Sequence, residues 1–289
     1  MNTPVIAGID FSAGSPSVLR QAVHVAARSG VPVIAVSVID TGRAAQWGDD
    51  SDAVQVLFSR ARAKLEALVK ELPAGADVRI DVRGGHAADE LQKLVNEHQS
   101  SLLVIAANDL SKKRLGSVAS RCVRTAHCDV LVLRDWQQGD FKKIVVCSDF
   151  SPTSARALKR GIEVAQTNKA ALEIAHVMYP PTLDPWGEAM DHAMDSPTPY
   201  PDACRARIKR RMENFLAPHA SSLESIVHEE TVLESASAVV ALTSHFRFVH
   251  ADLVVLGTHE LSRIAGFFIG TNAENLLNDA TVSVLAVRD

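Results

Sequence analysis

Asp10 and Asp149 each open the tripeptide Asp-Phe-Ser at the end of a short apolar run. Further along, Gly116-Ser117 and Gly270-Thr271 each open a helical pattern. A carboxylate at a strand end offers a fixed hydrogen-bond acceptor. A glycine followed by a hydroxyl residue at a helix start leaves backbone N–H groups facing outward, a natural seat for an anion. Together these residues describe a place that binds a polar ligand. They hold no nucleophile. Each also has a purely structural use: an aspartate in such a turn binds nearby backbone N–H groups, and Ser117 and Thr271 can cap their own helices.

Other clusters carry less. The four cysteines, Cys122, Cys128, Cys147 and Cys204, form no CxxC pair, so they read as reduced thiols rather than a zinc or redox site. Glu188 and His192 stand four apart with Asp191 and Asp195 near them, but without a second histidine or a neighbouring cysteine they make no metal site. Lys112-Lys113-Arg114 is brief and reads equally as a solvated tip or as a partner for an anionic ligand in the first crevice, while the run Arg205–Arg211 reads as a solvated helix face. The formal net charge of −4, mixed along the chain, argues against nucleic-acid and membrane-surface partners. No apolar run approaches membrane-spanning length and the N-terminus has no signal core, which points to the cytoplasm. There is no P-loop, no GxSxG elbow, no Rossmann fingerprint and no paired Cys/His nucleophile, so the expectation is not an enzyme.

The elements that position Asp10 and Asp149 are written twice. Val5–Ala26 is answered by Ile144–Ala165, and Leu102–Arg134 by Leu253–Arg288. A repeat of this period means two similar domains, and 289 residues suffice for both to bury a core. The first copy has apolar runs at Val5–Ile9, Val31–Ile39, Val78–Val82, Leu102–Ala107 and Val130–Leu133. The second has them at Ile144–Val146, Leu172–Val177, Ile226–Val232, Leu253–Leu256 and Val282–Val287. Continuous rather than alternating, they predict strands covered on both faces. Between them, Val18, Leu19, Ala22, Val23 and Ala26 mark one helix face, as do Ala157, Leu158, Gly161, Ile162 and Ala165. Strand–helix alternation implies right-handed crossovers. The fold class is therefore α/β: two tandem doubly wound domains, 1–136 and 141–289, each a five-stranded parallel sheet of order 3-2-1-4-5 with helices on both faces. A polar linker lies near Trp136–Asp140. The second domain gains a Pro-rich insertion, Met178–Ala203, read as a loop with a helical piece at Trp186–Met194. Trp186, Met190 and Met194 make an apolar stripe there that covers its own domain, closes over a crevice or meets a partner.

In such a sheet ligands sit outside the carboxyl ends of the strands, where strand order reverses. That places the loops opening at Asp10 and Asp149 opposite those ending at Gly116 and Gly270. The residues carrying this arrangement resemble the universal stress protein family, and the resemblance covers nearly the whole chain, once per half, in the manner of tandem (E-type) members. In family terms the second copy nearly shows G-x2-G-x9-G-[S/T], as Gly257, Glu260, then nine residues to Gly270-Thr271. The first has Ala106, Asp109, then six residues to Gly116-Ser117. The resemblance implies an adenine nucleotide, ATP or AMP, with the aspartate near adenine and the glycine loop on ribose and phosphates. The middle glycine is acidic in both copies, which adds repulsion beside phosphates and blocks close backbone approach. The binding residues expected are Asp149, Gly257, Glu260, Gly270 and Thr271 in the second domain. Asp10, Gly116 and Ser117 form the weaker counterpart in the first. His259, inside the second loop, reads as exposed surface.

Two functions follow. One is a stress-response protein whose second domain senses an adenine nucleotide, with slow ATP hydrolysis left open. The other is a scaffold or binding module acting through its surface and insertion. The last strand of each copy, Asp129–Leu133 and Val282–Val287, is expected at a sheet edge, and apolar edges invite association. The resemblance adds an internal pseudo-dimer of the two domains, with homodimers of the chain left open.

Overall fold

The computed structural model describes residues 3–44, 51–107, 115–134, 139–184, 199–258, 276 and 281–288. Each apolar run named above lies in or overlaps a strand. The first half contains β1 (Val5–Gly8), α1 (Ser15–Ser29), β2 (Val33–Ile39), the single turn α2 (Thr41–Ala44), α3 (Ser51–Lys70), β3 (Val78–Gly84), α4 (Ala87–His98), β4 (Leu102–Ala106), α5 (Ser117–Thr125) and β5 (Asp129–Leu133). The second contains β6 (Lys143–Cys147), α6 (Pro152–Asn168), β7 (Ala171–Met178), α7 (Tyr200–Leu216), the short α8 (Ala220–Leu223), β8 (His228–Glu234), α9 (Ala238–Phe248), β9 (Leu253–Thr258) and β10 (Ser283–Arg288). Of the insertion, a 3-10 turn at Pro181–Leu183 and the start of α7 are described; Trp186–Met194 lies outside the described residues.

Two compact units result. The first takes the chain up to Gly139 together with the closing strand β10. Its sheet runs β3-β2-β1-β4-β5, all parallel, the expected order. Val5, Ile6 and Ala7 sit in register between β2 and β4, so β1 is walled on both sides. Its side chains are buried, as the continuous apolar run requires. Strand β5 is not an edge. It pairs antiparallel with β10, Leu131 opposite Leu285, and the backbone N–H of Arg134 donates to Ser283 Oγ at 3.1 Å. The reason is physical: two apolar strands with open backbone groups satisfy each other. Helix α1 packs with α3, and α4 with α5, across the sheet from each other as right-handed crossovers dictate. The α1 face anticipated from spacing is buried at Val18, Leu19, Ala22 and Ala26. Gly30, in the left-handed conformation (φ 64°), ends the helix by returning its N–H to the Ala26 and Ala27 carbonyls.

The second unit runs from Asp140 to Gly257 and keeps the same plan, β9-β6-β7-β8, again parallel. Helix α6 begins on Ser151, whose Oγ accepts the Ser154 N–H at 3.1 Å, with Pro152 just inside. Its inner face, Ala157 to Ala165, is buried as expected. One feature of this unit has no counterpart in the first. Glu173, on β7, is 1% exposed. Its Oε1 accepts the Thr231 hydroxyl at 2.7 Å and meets His245 Nε2, while its Oε2 lies 2.9 Å from Lys143 Nζ. Lys143 also pairs with Glu229. Burial pushes the Glu173 carboxyl up, but Lys143, Thr231 and His245 outweigh it and bring it down to about 2.

Candidate functional site

In the first unit a cleft of about 90 Å³ opens at the carboxyl edge of the sheet. Strands β1, β2 and β4 form its floor and helices α4 and α5 its walls. Gly8 lets two of the lining side chains close on the strand: a Cβ there would lie 2.9 Å from Ile105 Cγ2 and 3.3 Å from Leu91 Cδ2. The lining is mostly aliphatic, with Asp10 on the rim. Asp10 Oδ1 accepts the Ser12 N–H at 2.9 Å and the Ser15 hydroxyl at 3.0 Å. The carboxylate is thus fixed by its own turn while still exposed. Opposite it, α5 starts at Gly116, which caps the helix without any side-chain hydrogen bond. Ser117 does not cap; it is the first helical residue and exposed. Gly116 takes ordinary extended angles, so its value here is the absence of a side chain beside the helix end. Asp10 lines this cleft, and Gly116 and Ser117 stand at the start of α5, just before Val118 and Ala119 that wall it.

The second unit repeats the first loop. Asp149 Oδ1 accepts the Ser151 N–H at 2.9 Å. Burial pushes this carboxyl up, but hydrogen bonds from Ser151 and Ser154 outweigh burial and hold it below the usual carboxylate value. Glu260, Gly270 and Thr271 lie outside the described residues, as do Asp109, His259, Lys112–Arg114, Glu188 and His192.

Gly257 is described, and it answers to packing. A Cβ there would fall 2.5 Å from Thr153 Cγ2 and 2.8 Å from the Thr153 carbonyl oxygen. The end of β9 touches the first turn of α6 too closely for any side chain. The repeat places Ala106 at the position of Gly257 and Gly14 at that of Thr153. The smaller residue of the aligned pair thus stands on β9 in the second copy and before α1 in the first.

Sequence reasoning missed the residue after each aspartate. Phe11 and Phe150 are both left-handed, at φ 59° and 64°. A bulky residue rarely takes this conformation, which costs roughly 1–2 kcal/mol. In each copy the ring is covered by a cation from the helix after the second strand: Lys64 Nζ at 5.2 Å from Phe11, Arg211 Cζ at 4.7 Å from Phe150. Phe150 also stacks on His176 at 4.2 Å and meets Phe215 edge-on at 5.6 Å. The available signal was the identity of the tripeptide itself in both copies. The strained turn bends the chain sharply after the aspartate and leaves its carboxylate on the crevice side. The remaining candidates are inert. Burial pushes the Cys122, Cys128 and Cys147 thiols up to about 12. Among the described residues no group of three His, Cys, Asp or Glu side chains is placed to hold a metal ion, and no helix is long and apolar enough to cross a membrane.

Comparison with known proteins agrees with the geometry. The model of the universal stress protein family matches residues 1–134 and again 140–288. A universal stress protein of Thermus aquaticus is 26% identical over 148 residues, 51% of this chain and 99% of the relative. Universal stress protein A homolog 1 of Coxiella burnetii is 27% identical over 154 residues, 51% and 96% of the two chains. Among solved structures, a universal stress protein from Archaeoglobus fulgidus superposes with TM-score 0.67 at 18% identity, covering 100% of this chain and 97% of its own. This last likeness speaks for the fold alone.

Proposed function

The chain belongs to the universal stress protein family, and we propose that it is a non-enzymatic stress-response protein that senses an adenine nucleotide, ATP or AMP. The observation that carries this reading is the repeated Asp-Phe-Ser turn, which holds a carboxylate at the carboxyl end of the first strand in each unit. In the first unit that carboxylate stands on the rim of an aliphatic cleft, with a helix start free of side-chain caps beyond it. An acceptor for a base amine, an apolar slot for a ring and open N–H groups for an anion are the chemical needs of a nucleotide.

The second unit is the stronger site in this reading. Its sequence keeps the longer glycine loop with Gly270-Thr271, and Asp149 is held ionised. The first cleft encloses about 90 Å³, well under the roughly 300–1,000 Å³ usual for ligand pockets. That small volume favours a second reading, in which the chain is a scaffold acting through its surface and Pro-rich insertion. The two repeats in this view act as an internal pseudo-dimer.

The test is calorimetric titration with ATP and AMP, alongside identification of any small molecule released on denaturation. Nucleotide binding that is lost in Asp149→Ala and in Gly270→Trp, but kept in Asp10→Ala, agrees with the proposal. No retained nucleotide and no heat with either ligand overturns it in favour of the scaffold.

A further inference from the structure

We propose that the second unit holds a separate site for an extended organic cation, a linear aliphatic polyamine, in the groove between α7, α8 and β8. The groove encloses about 370 Å³, within the roughly 300–1,000 Å³ usual for ligand pockets. It opens beside His228, the first residue of β8. It therefore lies at the amino end of that strand, away from the carboxyl edge where Asp149 follows β6. This site is independent of the nucleotide reading above.

Two short stretches of helix supply its walls with one pattern. Glu213, Leu216 and Ala217 recur at three- and four-residue spacing where α7 ends, and Ala220, Leu223 and Glu224 do so through α8 and its cap. Leu216 and Leu223 are buried and give the groove an apolar floor. Strand β8 adds Glu230 beside His228; two residues apart, they share one face of the strand about 7 Å from each other. The His228 Nδ1–H donates to the Ile226 carbonyl at 3.2 Å.

Glu213, Glu224 and Glu230 line the groove, and among the described residues no Lys or Arg does. Nor, among the described residues, does an ion pair or hydrogen bond engage any of these three carboxylates. Other acids of the unit are paired: Glu163 with Arg160, Glu229 with Lys143 and Glu234 with Arg205. Strand register and the repeat put Val78 and Ile80 of the first unit where His228 and Glu230 stand. The same strand is thus built without charge at these two positions.

Three uncompensated carboxylates around one hollow repel each other, and a bound cation removes that repulsion. A metal ion does not meet them, because among the described residues no group of three His, Cys, Asp or Glu side chains is placed to hold one. The carboxylates are spread along the groove, so the cation that satisfies them is spread as well. Ammonium groups joined by methylene chains have that form. Their heads meet Glu213, Glu224 and Glu230 while the chains lie on Leu216 and Leu223, as a lysine stem lies on apolar surface below its charged head.

The test is calorimetric titration of the full chain with spermidine at neutral pH and low salt. Hexaamminecobalt(III), which carries the same triple charge without hydrocarbon, is titrated beside it. A single spermidine per chain is expected, bound about tenfold or more tightly than hexaamminecobalt(III). Replacing the three carboxylates together (Glu213→Gln, Glu224→Gln, Glu230→Gln) should weaken spermidine about tenfold, each exposed contact contributing modestly. A control removes the same charge from exposed positions of the first unit (Glu66→Gln, Glu71→Gln, Asp77→Asn) and should stay within about twofold of the wild type. Absence of spermidine binding overturns the site. Equal affinity for the two trications, or equal losses in the two triple variants, overturns it in favour of general attraction to an acidic surface. Binding of tetralysine without binding of spermidine overturns it in favour of a basic peptide. Should the groove variant fail to fold by circular dichroism, the two trications on the wild-type protein decide.

Discussion

Replacing Gly257 by alanine tests whether the leading glycine of the second motif serves packing. The new Cβ would stand 2.5 Å from Thr153 Cγ2, 2.8 Å from the Thr153 carbonyl oxygen and 2.9 Å from its carbonyl carbon. Carbon atoms rest at about 3.5–4.0 Å. Rotating the threonine side chain relieves only the first of these contacts; the other two are backbone. The end of β9 and the first turn of α6 must therefore part by several tenths of an ångström or more. Overpacking of this kind costs about 1–3 kcal/mol, and the backbone contacts place this case in the upper half of that range. Thr153→Gly alone gives up the Arg156–Thr153 hydrogen bond at 3.3 Å and adds chain freedom near a helix start, roughly 1 kcal/mol. The double variant places the residue types of Gly14 and Ala106 at these positions; it removes the Cγ2 contact, and the two backbone contacts are then met by the softer backbone of glycine. The two changes are expected to be coupled by about 1–2 kcal/mol in the favourable direction. Urea unfolding of the four proteins, fitted with a common m-value, measures this. A Gly257→Ala protein within about 0.5 kcal/mol of the parent would refute the packing argument. Strict additivity in the double variant would refute it equally.

Three further outcomes follow from the same geometry. At Phe150, with φ 64°, glycine should be tolerated better than alanine by about 1 kcal/mol, because both lose the ring and only glycine escapes the strain; equal stability in denaturant titration counts against strain there. The Glu173 carboxyl falls from 4.5 to about 2 on folding. A depressed folded-state value stabilises above the unfolded value, so its contribution is full above about pH 4.5 and fades as pH falls towards 2; Glu173→Gln should flatten that limb of an acid titration followed by circular dichroism. Cys122, Cys128 and Cys147, pushed up to about 12 by burial, should alkylate at pH 8 far more slowly in the native protein than in denaturant, as mass spectrometry of the labelled chain would show.

Strands were legible because most are apolar runs buried on both faces, and helices because their inner faces recur at helical spacing. Strand β8 starts at His228 rather than Ile226, because the Ile226 N–H closes a turn on Leu223 and the chain enters the sheet only afterwards. The pairing of β5 with β10 could not be read, since an open edge in a sequence names no partner. Of the candidate site, Asp10 and Asp149 were legible as acceptors just after the first strands and Gly116-Ser117 as the start of a helix. The left-handed Phe11 and Phe150 were not: nothing in a phenylalanine signals positive φ, and only coordinates reveal the cations above the rings. Glu173 was invisible for a related reason. A lone acid inside an apolar strand reads as its wet side until its partners, drawn from three other elements, are seen together.

These cases share a form that single-position comparison of the repeats conceals. Gly14 with Ala106 becomes Thr153 with Gly257; Ile34 with Leu94 becomes Glu173 with His245. The same holds across the crevice floor, where Gly8 lies in register with Val36 and Cys147 with Ala175. The small residue of the pair is thus Gly8 on β1 in the first unit and Ala175 on β7 in the second. Each change taken alone looks like decay of one copy. Taken as aligned pairs, the first and third change which member is small, while the second places a charged contact where the first unit has two buried apolar residues. The two units therefore differ less in how well they were preserved than in where each keeps its space and its charge. That makes paired exchanges between them, rather than single substitutions, the proper test of what each crevice does.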